Sequence, residues 1–273
     1  MDVEAYLARI GFRGDGPPDA ANLAALVKAH RTSVPYETID LWCGRRTTLE
    51  ADALFDKIVT RRRGGYCFEL NGLFAALLRE LGYEVREYTG RWLRNNPTLP
   101  VPRRCHRVVC VRTGKGPAKI VETGVALPGL SAPLDVVWDR PQLQNGRFYR
   151  LVRDERLGNV VETMDPGGRW TRIFSFDAAP AEPIDFEYPH WWCQTHPDSV
   201  FHDGFRVFRL CAEGGWKSIE CVQPFAASAL RATLVRADRD GVERRSPLEG
   251  QAALAAALAD EFGISGALPA DLI

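Results

Sequence analysis

The segment Arg63-Gly64-Gly65-Tyr66-Cys67-Phe68-Glu69-Leu70-Asn71 concentrates the side chains best suited to covalent chemistry. Two glycines let the backbone turn sharply and approach a ligand closely. Cys67 follows at the first turn of a strongly periodic helix, where unpaired N–H groups and the positive end of the macrodipole face it. That setting favours thiolate over thiol and makes the sulfur nucleophilic near neutral pH. The alternative is a small core residue, the usual fate of a free cysteine. Spacing alone leaves both readings open.

A thiolate needs a base or ion-pair partner. Of five histidines, His106 directly precedes a strong apolar strand, Val108 to Arg112. His30 lies in a helical stretch, and His190, His196 and His202 cluster among Trp and Pro near the start of the last third. The competing reading of His106 is a solvent-exposed strand end. A third group should orient the imidazole and stabilise its positive charge. Glu122 ends the next strand, Ala118-Lys119-Ile120-Val121, and antiparallel pairing of the two strands would bring it towards His106.

Three stretches of different character must position these groups. Residues 1–83 read mostly as helix: Asn22 to His30 is amphipathic, Thr48 is a candidate N-cap for Leu49 to Arg61, and Cys67 to Leu81 carries Leu70, Leu73, Phe74, Leu77, Leu78 and Leu81 in the i, i+3, i+4 rhythm. Gly82 is placed to end that helix in the left-handed conformation. Residues 84–184 read as short strands separated by turns, which suggests a barrel or sandwich. The strands are Val85 to Leu93, Val108 to Arg112, Lys119 to Thr123, Arg147 to Arg153, Val160 to Met164 and Trp170 to Phe176, with Asn95-Asn96-Pro97 and Asp165-Pro166-Gly167-Gly168 among the turns. Residues 185–273 mix strands (Phe205 to Cys211, Trp216 to Val222, Thr233 to Arg236) with a helix whose capping box is Ser246-Pro247-Leu248-Glu249.

Composition narrows the function classes. Lys plus Arg equals Asp plus Glu, 35 against 35, which lacks the basic excess of a protein that lives on nucleic-acid phosphates. Apolar residues make up 45% and charged residues 26%, an ordinary globular balance. No run approaches the length of a membrane span, and the acidic N-terminus has no signal pattern, so a cytoplasmic location is expected. Seven irregularly spaced cysteines do not make a disulfide framework. His190, Cys193 and His196 lack a suitably spaced fourth ligand, so no metal is expected. Arg103 and Arg104, next to His106, are either phosphate contacts or an exposed strand-end pair.

These residues match a known pattern. The segment Arg63 to Phe74, RGGYCFELNGLF, closely resembles the nucleophile motif of the arylamine N-acetyltransferases. Val34-Pro35-Tyr36-Glu37-Thr38-Ile39-Asp40 resembles that family's upstream motif, Arg104 to Val111 its histidine strand, and Thr195-His196-Pro197-Asp198-Ser199-Val200-Phe201 the segment that opens its third part. The resemblance covers nearly the whole chain. It implies an α+β fold in three parts: a helical bundle (residues 1–83), a β-barrel (84–184) and an α/β lid (185–273), with a papain-like Cys-His-acid core of Cys67, His106 and Glu122.

The resemblance further implies two-step acyl transfer from acetyl-CoA to an arylamine or hydrazine through a cysteinyl acyl-enzyme. In this scheme Glu37 and Arg63 brace the nucleophile loop, and the Cys67 N–H is one oxyanion donor. The pattern departs at one place. Where the family carries Asp-Val-Gly-Phe-Gly, this chain has Glu122-Thr123-Gly124-Val125-Ala126, so the acid is one methylene longer and Val125 replaces a pocket aromatic. Val125 and the altered loop to Ser131 keep open an amide synthase that releases a chain from an acyl carrier protein. A catalytically silent binding protein is the remaining alternative.

Overall fold

The computed structural model describes residues 1–14, 16–94, 101–126, 129–221 and 231–268. The expected Asn95-Asn96-Pro97 turn, Val222 and the Leu127-Pro128 step lie outside the described residues. Two sheets organise the rest. The first helices are α1 (Val3–Ile10) and α2 (Ala20–Ser33), followed by strand β1 (Tyr36–Glu37), α3 (Ile39–Trp42) and α4 (Ala51–Phe55). Helix α5, which begins at Cys67, spans Cys67–Glu80. Its side Leu70, Leu73, Phe74 and Leu77 packs on Val109, Val111 and Val121, which is the burial its periodicity requires. Gly82 (φ 84) ends it in the left-handed conformation expected of it.

The larger sheet contains β2 (Glu84–Trp92), β3 (His106–Arg112), β4 (Lys119–Val121), β5 (Leu134–Asp135), β6 (Gln142–Gln144), β7 (Arg147–Asp154), β8 (Gly158–Met164) and β9 (Trp170–Phe176). Its order is β5-β4-β3-β2-β9-β8-β7-β6. The two edges meet through two side chains of β6. Gln144 accepts from the Ser131 and Ala132 N–H groups and donates to the Pro133 carbonyl at 3.2 Å. Gln142 accepts from the Asp135 N–H at 2.8 Å and donates to the Asp135 carbonyl at 2.9 Å, imitating a ladder pair and nearly closing a barrel. Val108, Cys110, Leu134, Leu151, Ile173 and Phe174 belong to one buried cluster of this sheet. Strand β3 is buried on both faces, because Val109 and Val111 turn to the helices instead.

The second sheet has the order β1-β10-β11-β12-β13, with β10 (Phe205–Leu210), β11 (Trp216–Cys221), β12 (Arg231–Ala237) and β13 (Glu243–Glu249). Helix α6 (Glu187–Thr195) precedes it and α7 (Gly250–Phe262) follows it. Strand β1 comes from the first third of the chain yet pairs with β10, Tyr36 opposite Phe208 and Glu37 opposite Val207.

Two expected helix starts are corrected. Ser246-Pro247-Leu248-Glu249 is no capping box: Pro247 pairs with Thr233 and Leu248 with Ala232 in β13, and α7 begins at Gly250. The strand is at the sheet edge, where a proline's missing N–H is tolerated. Thr48 is not an N-cap. The helix starts at Ala51 behind Glu50, whose N–H donates to Thr48 Oγ1 at 3.2 Å. Its continuation, Asp56–Thr60, widens into a π turn, and Lys57 within that turn is buried.

His30, on α2, is fully buried between Tyr6 and Phe74. Neither ring nitrogen has a hydrogen-bond partner among the described residues. Burial, with Arg9 and Arg31 nearby, lowers its pKa from 6.5 to about 3. A histidine held neutral in the fold contributes stability above pH 6.5 that is lost as pH falls towards 3, because the unfolded chain takes up the proton first. We expect the melting temperature to fall between about pH 7.5 and about pH 5, and His30→Phe to flatten that fall. Parallel thermal melts of the two proteins check it.

Candidate active site

The loop ahead of Cys67 is fixed by contacts of its own backbone. Tyr36 and Gly65 form an isolated bridge, and the Glu37 N–H donates to the Gly65 carbonyl at 2.9 Å. A Cβ at Gly64 would lie 2.0 Å from the Pro35 carbonyl oxygen, so only glycine lets the two segments approach. The Glu69 carboxylate reaches back to the Tyr66 N–H at 3.1 Å and caps α5 one residue ahead of Cys67.

Beneath the loop lies a buried ion network. Arg63 pairs with Glu37 at 2.6 Å and Asp40 at 3.1 Å. Lys57 pairs with Asp40 and Glu69, both at 2.8 Å. Burial alone would raise the Asp40 carboxyl, but Lys57 and Arg63 outweigh it and hold the group well below the usual carboxylate range. Glu69 goes the other way, since its burial is only partly offset by Lys57. Glu37 and Arg63 are thus paired with each other inside this buried network. Removing the guanidinium in Arg63→Ala leaves the buried Glu37 unpaired, at a cost of about 3–5 kcal/mol. A matching drop in urea unfolding stability is the expected result. A variant that unfolds like the parent yet is inactive would move Arg63 into the chemistry.

His106, Glu122 and Cys67 converge. His106 Nε2 lies 2.8 Å from Glu122 Oε2, and both side chains are almost fully buried. Strand pairing explains the contact. Val109 faces Val121 across β3 and β4, so Glu122, just beyond β4, is a diagonal neighbour of His106. His106 is the first residue of the strand rather than its predecessor; Trp92 meets its ring edge-on at 5.9 Å and Phe174 lies tilted against it at 5.1 Å. The Cys67 sulfur lies 3.8 Å from the Cys105 carbonyl oxygen and accepts from the Arg107 backbone N–H, so it touches the chain on both sides of His106. A Cβ at Gly124 would fall 2.5 Å from Cys67 Cα, which makes glycine obligatory where the loop after Glu122 crosses Cys67.

One electrostatic expectation is reversed. Burial pushes the Cys67 thiol well above its ordinary value, and the Glu122 carboxylate adds to the rise. The backbone N–H groups of Arg107 and Phe68 pull the other way without cancelling it. The helix start alone therefore does not ionise this thiol.

Two residues that hold the acid loop carry more of the site than spacing suggests. Asn71 donates to Glu122 Oε1 and to the Arg107 carbonyl, both at 2.7 Å. Its own oxygen accepts from the Thr123 N–H at 2.9 Å and the Gly124 N–H at 3.1 Å. Arg31, from the end of α2, donates to the carbonyls of Glu122, Val125 and Leu130. Val125 is buried beside this staple. No spacing rule marks Arg31, because its acceptors lie 91 to 99 residues away and its chain neighbours, His30 and Thr32, are themselves polar.

Arg103 and Arg104 line a cavity of about 410 Å³ with Arg91, Cys105, Tyr188 and Trp192. Arg103 lies 4.5 Å over the Trp192 ring, and Arg104 pairs with Asp177 at 2.8 Å. His190 is engaged at both nitrogens, by the Tyr66 hydroxyl and by the Thr47 carbonyl at 3.1 Å. Among the described residues no group of His, Cys, Asp or Glu is arranged to hold a metal, and no helix is long and apolar enough to cross a membrane.

A sequence profile of the N-acetyltransferase family matches residues 19–265. The chain is 34% identical over 271 residues to the arylamine N-acetyltransferase of Mycolicibacterium smegmatis, covering 97% of this chain and 92% of that protein. This chain belongs to the arylamine N-acetyltransferase family. It is an enzyme, a transferase, with the α+β three-part fold that the sequence resemblance implies. The arylamine N-acetyltransferase of Salmonella typhimurium superposes with a TM-score of 0.86 at 26% identity, covering 96% of this chain and 90% of that one. The arylamine N-acetyltransferase of Mycobacterium marinum in complex with CoA superposes with a TM-score of 0.81 at 32% identity, covering 96% and 93%.

Proposed function

We propose that this enzyme transfers acetyl from acetyl-CoA to an arylamine or hydrazine through an acyl-enzyme on Cys67. The observation that carries the reading is the sulfur seated against the backbone on both sides of His106, whose ring is held from behind by Glu122. Glu122 occupies Nε2, which leaves Nδ1 as the nitrogen for the sulfur. The thiol proton passes to Nδ1, and the resulting imidazolium is stabilised by the Glu122 carboxylate. The pair ionises together, which answers the raised thiol of Cys67 on its own.

The thiolate attacks the carbonyl carbon of the thioester. A carbon–sulfur bond to Cys67 forms, the bond to the CoA sulfur breaks, and His106 returns its proton to the departing thiolate. The amine nitrogen then attacks the acyl carbon and gives a proton to His106, and Cys67 leaves as thiolate. The Cys67 N–H at the start of α5 is placed to donate to the oxyanion. In this reading the CoA phosphates meet Arg103 and Arg104 in the 410 Å³ cavity, and Val125 borders the acceptor. The CoA complex of the Mycobacterium marinum relative supports CoA as the carrier. Residues 1–83, 84–184 and 185–273 serve as nucleophile bundle, His–Glu barrel and lid.

Intact-mass spectrometry after mixing with acetyl-CoA tests the proposal. One acetyl group on Cys67, discharged by an added arylamine, is the expected result. Loading only from a carrier-bound acyl chain would replace it with the amide synthase reading. No adduct from either donor would leave a silent binding protein.

A further inference from the structure

Two further thiols converge on Cys67. Cys193, from α6, packs in one cluster with Cys67, Tyr66 and Phe68, and Cys105 packs against the same cluster. The Cys193 S–H donates to the Cys105 sulfur. All seven cysteines are free.

The pair is asymmetric. Cys193 is fully buried, whereas Cys105 is partly exposed and lines the 410 Å³ cavity with Arg91 and Arg103. The hydrogen bond from Cys193 is the main influence lowering the Cys105 thiol; burial opposes it, and Arg103 and Arg91 reinforce it. The same contact raises Cys193. An accessible thiol in a basic setting with a second thiol in contact has the attributes of a redox-reactive cysteine and its resolving partner. The acyl-transfer chemistry uses neither sulfur.

We propose that Cys105 and Cys193 form a reversible disulfide on exposure to a hydroperoxide, joining α6 to the head of the strand that carries His106. The Cys105 thiolate attacks the peroxide oxygen. A sulfur–oxygen bond forms, the oxygen–oxygen bond breaks, and the departing oxygen takes a proton to leave as alcohol or water. Cys193 then attacks the Cys105 sulfur: the sulfur–sulfur bond forms, the sulfur–oxygen bond breaks, and hydroxide leaves with the Cys193 proton as water. Two thiols lose two electrons and the peroxide gains them. The new bond ties together two walls of the cavity and restrains the Cys105 carbonyl, which sits 3.8 Å from the Cys67 sulfur.

The test treats the full chain with hydrogen peroxide, alkylates the remaining thiols after unfolding, and maps peptides without reduction. The expected result is a mass loss of two hydrogen atoms, a Cys105–Cys193 linked peptide that dithiothreitol reverses, and an alkylated Cys67. In Cys193→Ser, Cys105 should stop at the sulfenic acid and be trapped by dimedone. Oxidation confined to Cys67, a Cys67–Cys105 link, or free Cys105 and Cys193 thiols after treatment would overturn the proposal, whether or not the enzyme proves to use acetyl-CoA.

Discussion

Cys67→Ala protein is expected to take up no acetyl group from acetyl-CoA and to show no turnover, while melting close to the parent. The sulfur touches the backbone on both sides of His106. Covalent catalysis divides one difficult step into two easier ones, and the divided route vanishes with the sulfur. The structural effect is small by comparison. The loop around residue 67 is held by Glu69, by the β1 bridge and by the Arg63 network, none of which involves the thiol. Removing one buried sulfur leaves a void smaller than that of a large-to-small core change, so the cost should sit below the ~2 kcal/mol at which those begin. Intact mass, an arylamine assay and a thermal melt on the same sample check all three statements. Retained turnover in the folded variant would end the assignment.

Glu122→Gln should lower the acylation rate by about 10²–10⁴-fold, the span usual for proton-transfer catalysis. The reason lies in the partners of the carboxylate. Oxygen Oε1 accepts from Asn71 at 2.7 Å and the Gly124 N–H at 2.9 Å, so a glutamine must place its carbonyl there. Its NH₂ then faces His106 Nε2, which has to become an acceptor. The ring proton moves to Nδ1, the nitrogen that should receive the thiol proton. The imidazolium meets a donor instead of a negative charge. Glu122→Asp keeps the charge but falls a methylene short of a site with three partners. It should be slower than the parent, although the family motif carries Asp there. Stopped-flow release of CoA measures both variants. A Glu122→Gln enzyme acylated at the parent's rate would remove the acid from the mechanism.

The local parts of this molecule were legible because their causes are local. Helix α5 follows from its own apolar rhythm, and β9 begins and ends where predicted because Asp165-Pro166-Gly167-Gly168 sets its start. Cys67 and His106 stood out by their positions beside such elements. Glu122 stood out on the condition that its strand pairs antiparallel with the one headed by His106, and the register Val109 to Val121 meets that condition. Glu69 is read as a support of the loop, but its link through Lys57 to Asp40 was missed because Lys57 reads as an ordinary surface lysine until a π turn buries it. Ser246-Pro247-Leu248-Glu249 misled because the pattern of a capping box is also acceptable on an edge strand, and only the pairing with β12 decides between them. The Cys67 thiol misled because a helix start is favourable to charge and burial is not, and sequence shows only the first.

The pairing of β1 with β10 has a consequence for the order in which a ribosome delivers this protein. Tyr36 and Glu37, which bridge to the nucleophile loop, find their sheet partners only at Val207 and Phe208, and the Thr38 N–H is bonded at 3.1 Å by the carbonyl of Arg206. Arg45, which pairs with Asp40, is itself held by the carbonyl of Ala267 at 2.7 Å. Synthesis runs from the N-terminus at a few residues per second or faster, so Cys67 leaves the ribosome long before the segments that clamp its surroundings exist. During that interval the Glu37, Asp40 and Arg63 charges are still in water and the loop is unlatched. The setting of Cys67 is thus assembled late, after β10 and Ala267 have emerged, and a nascent chain halted short of β10 carries Cys67 without the strand pairing that latches its loop.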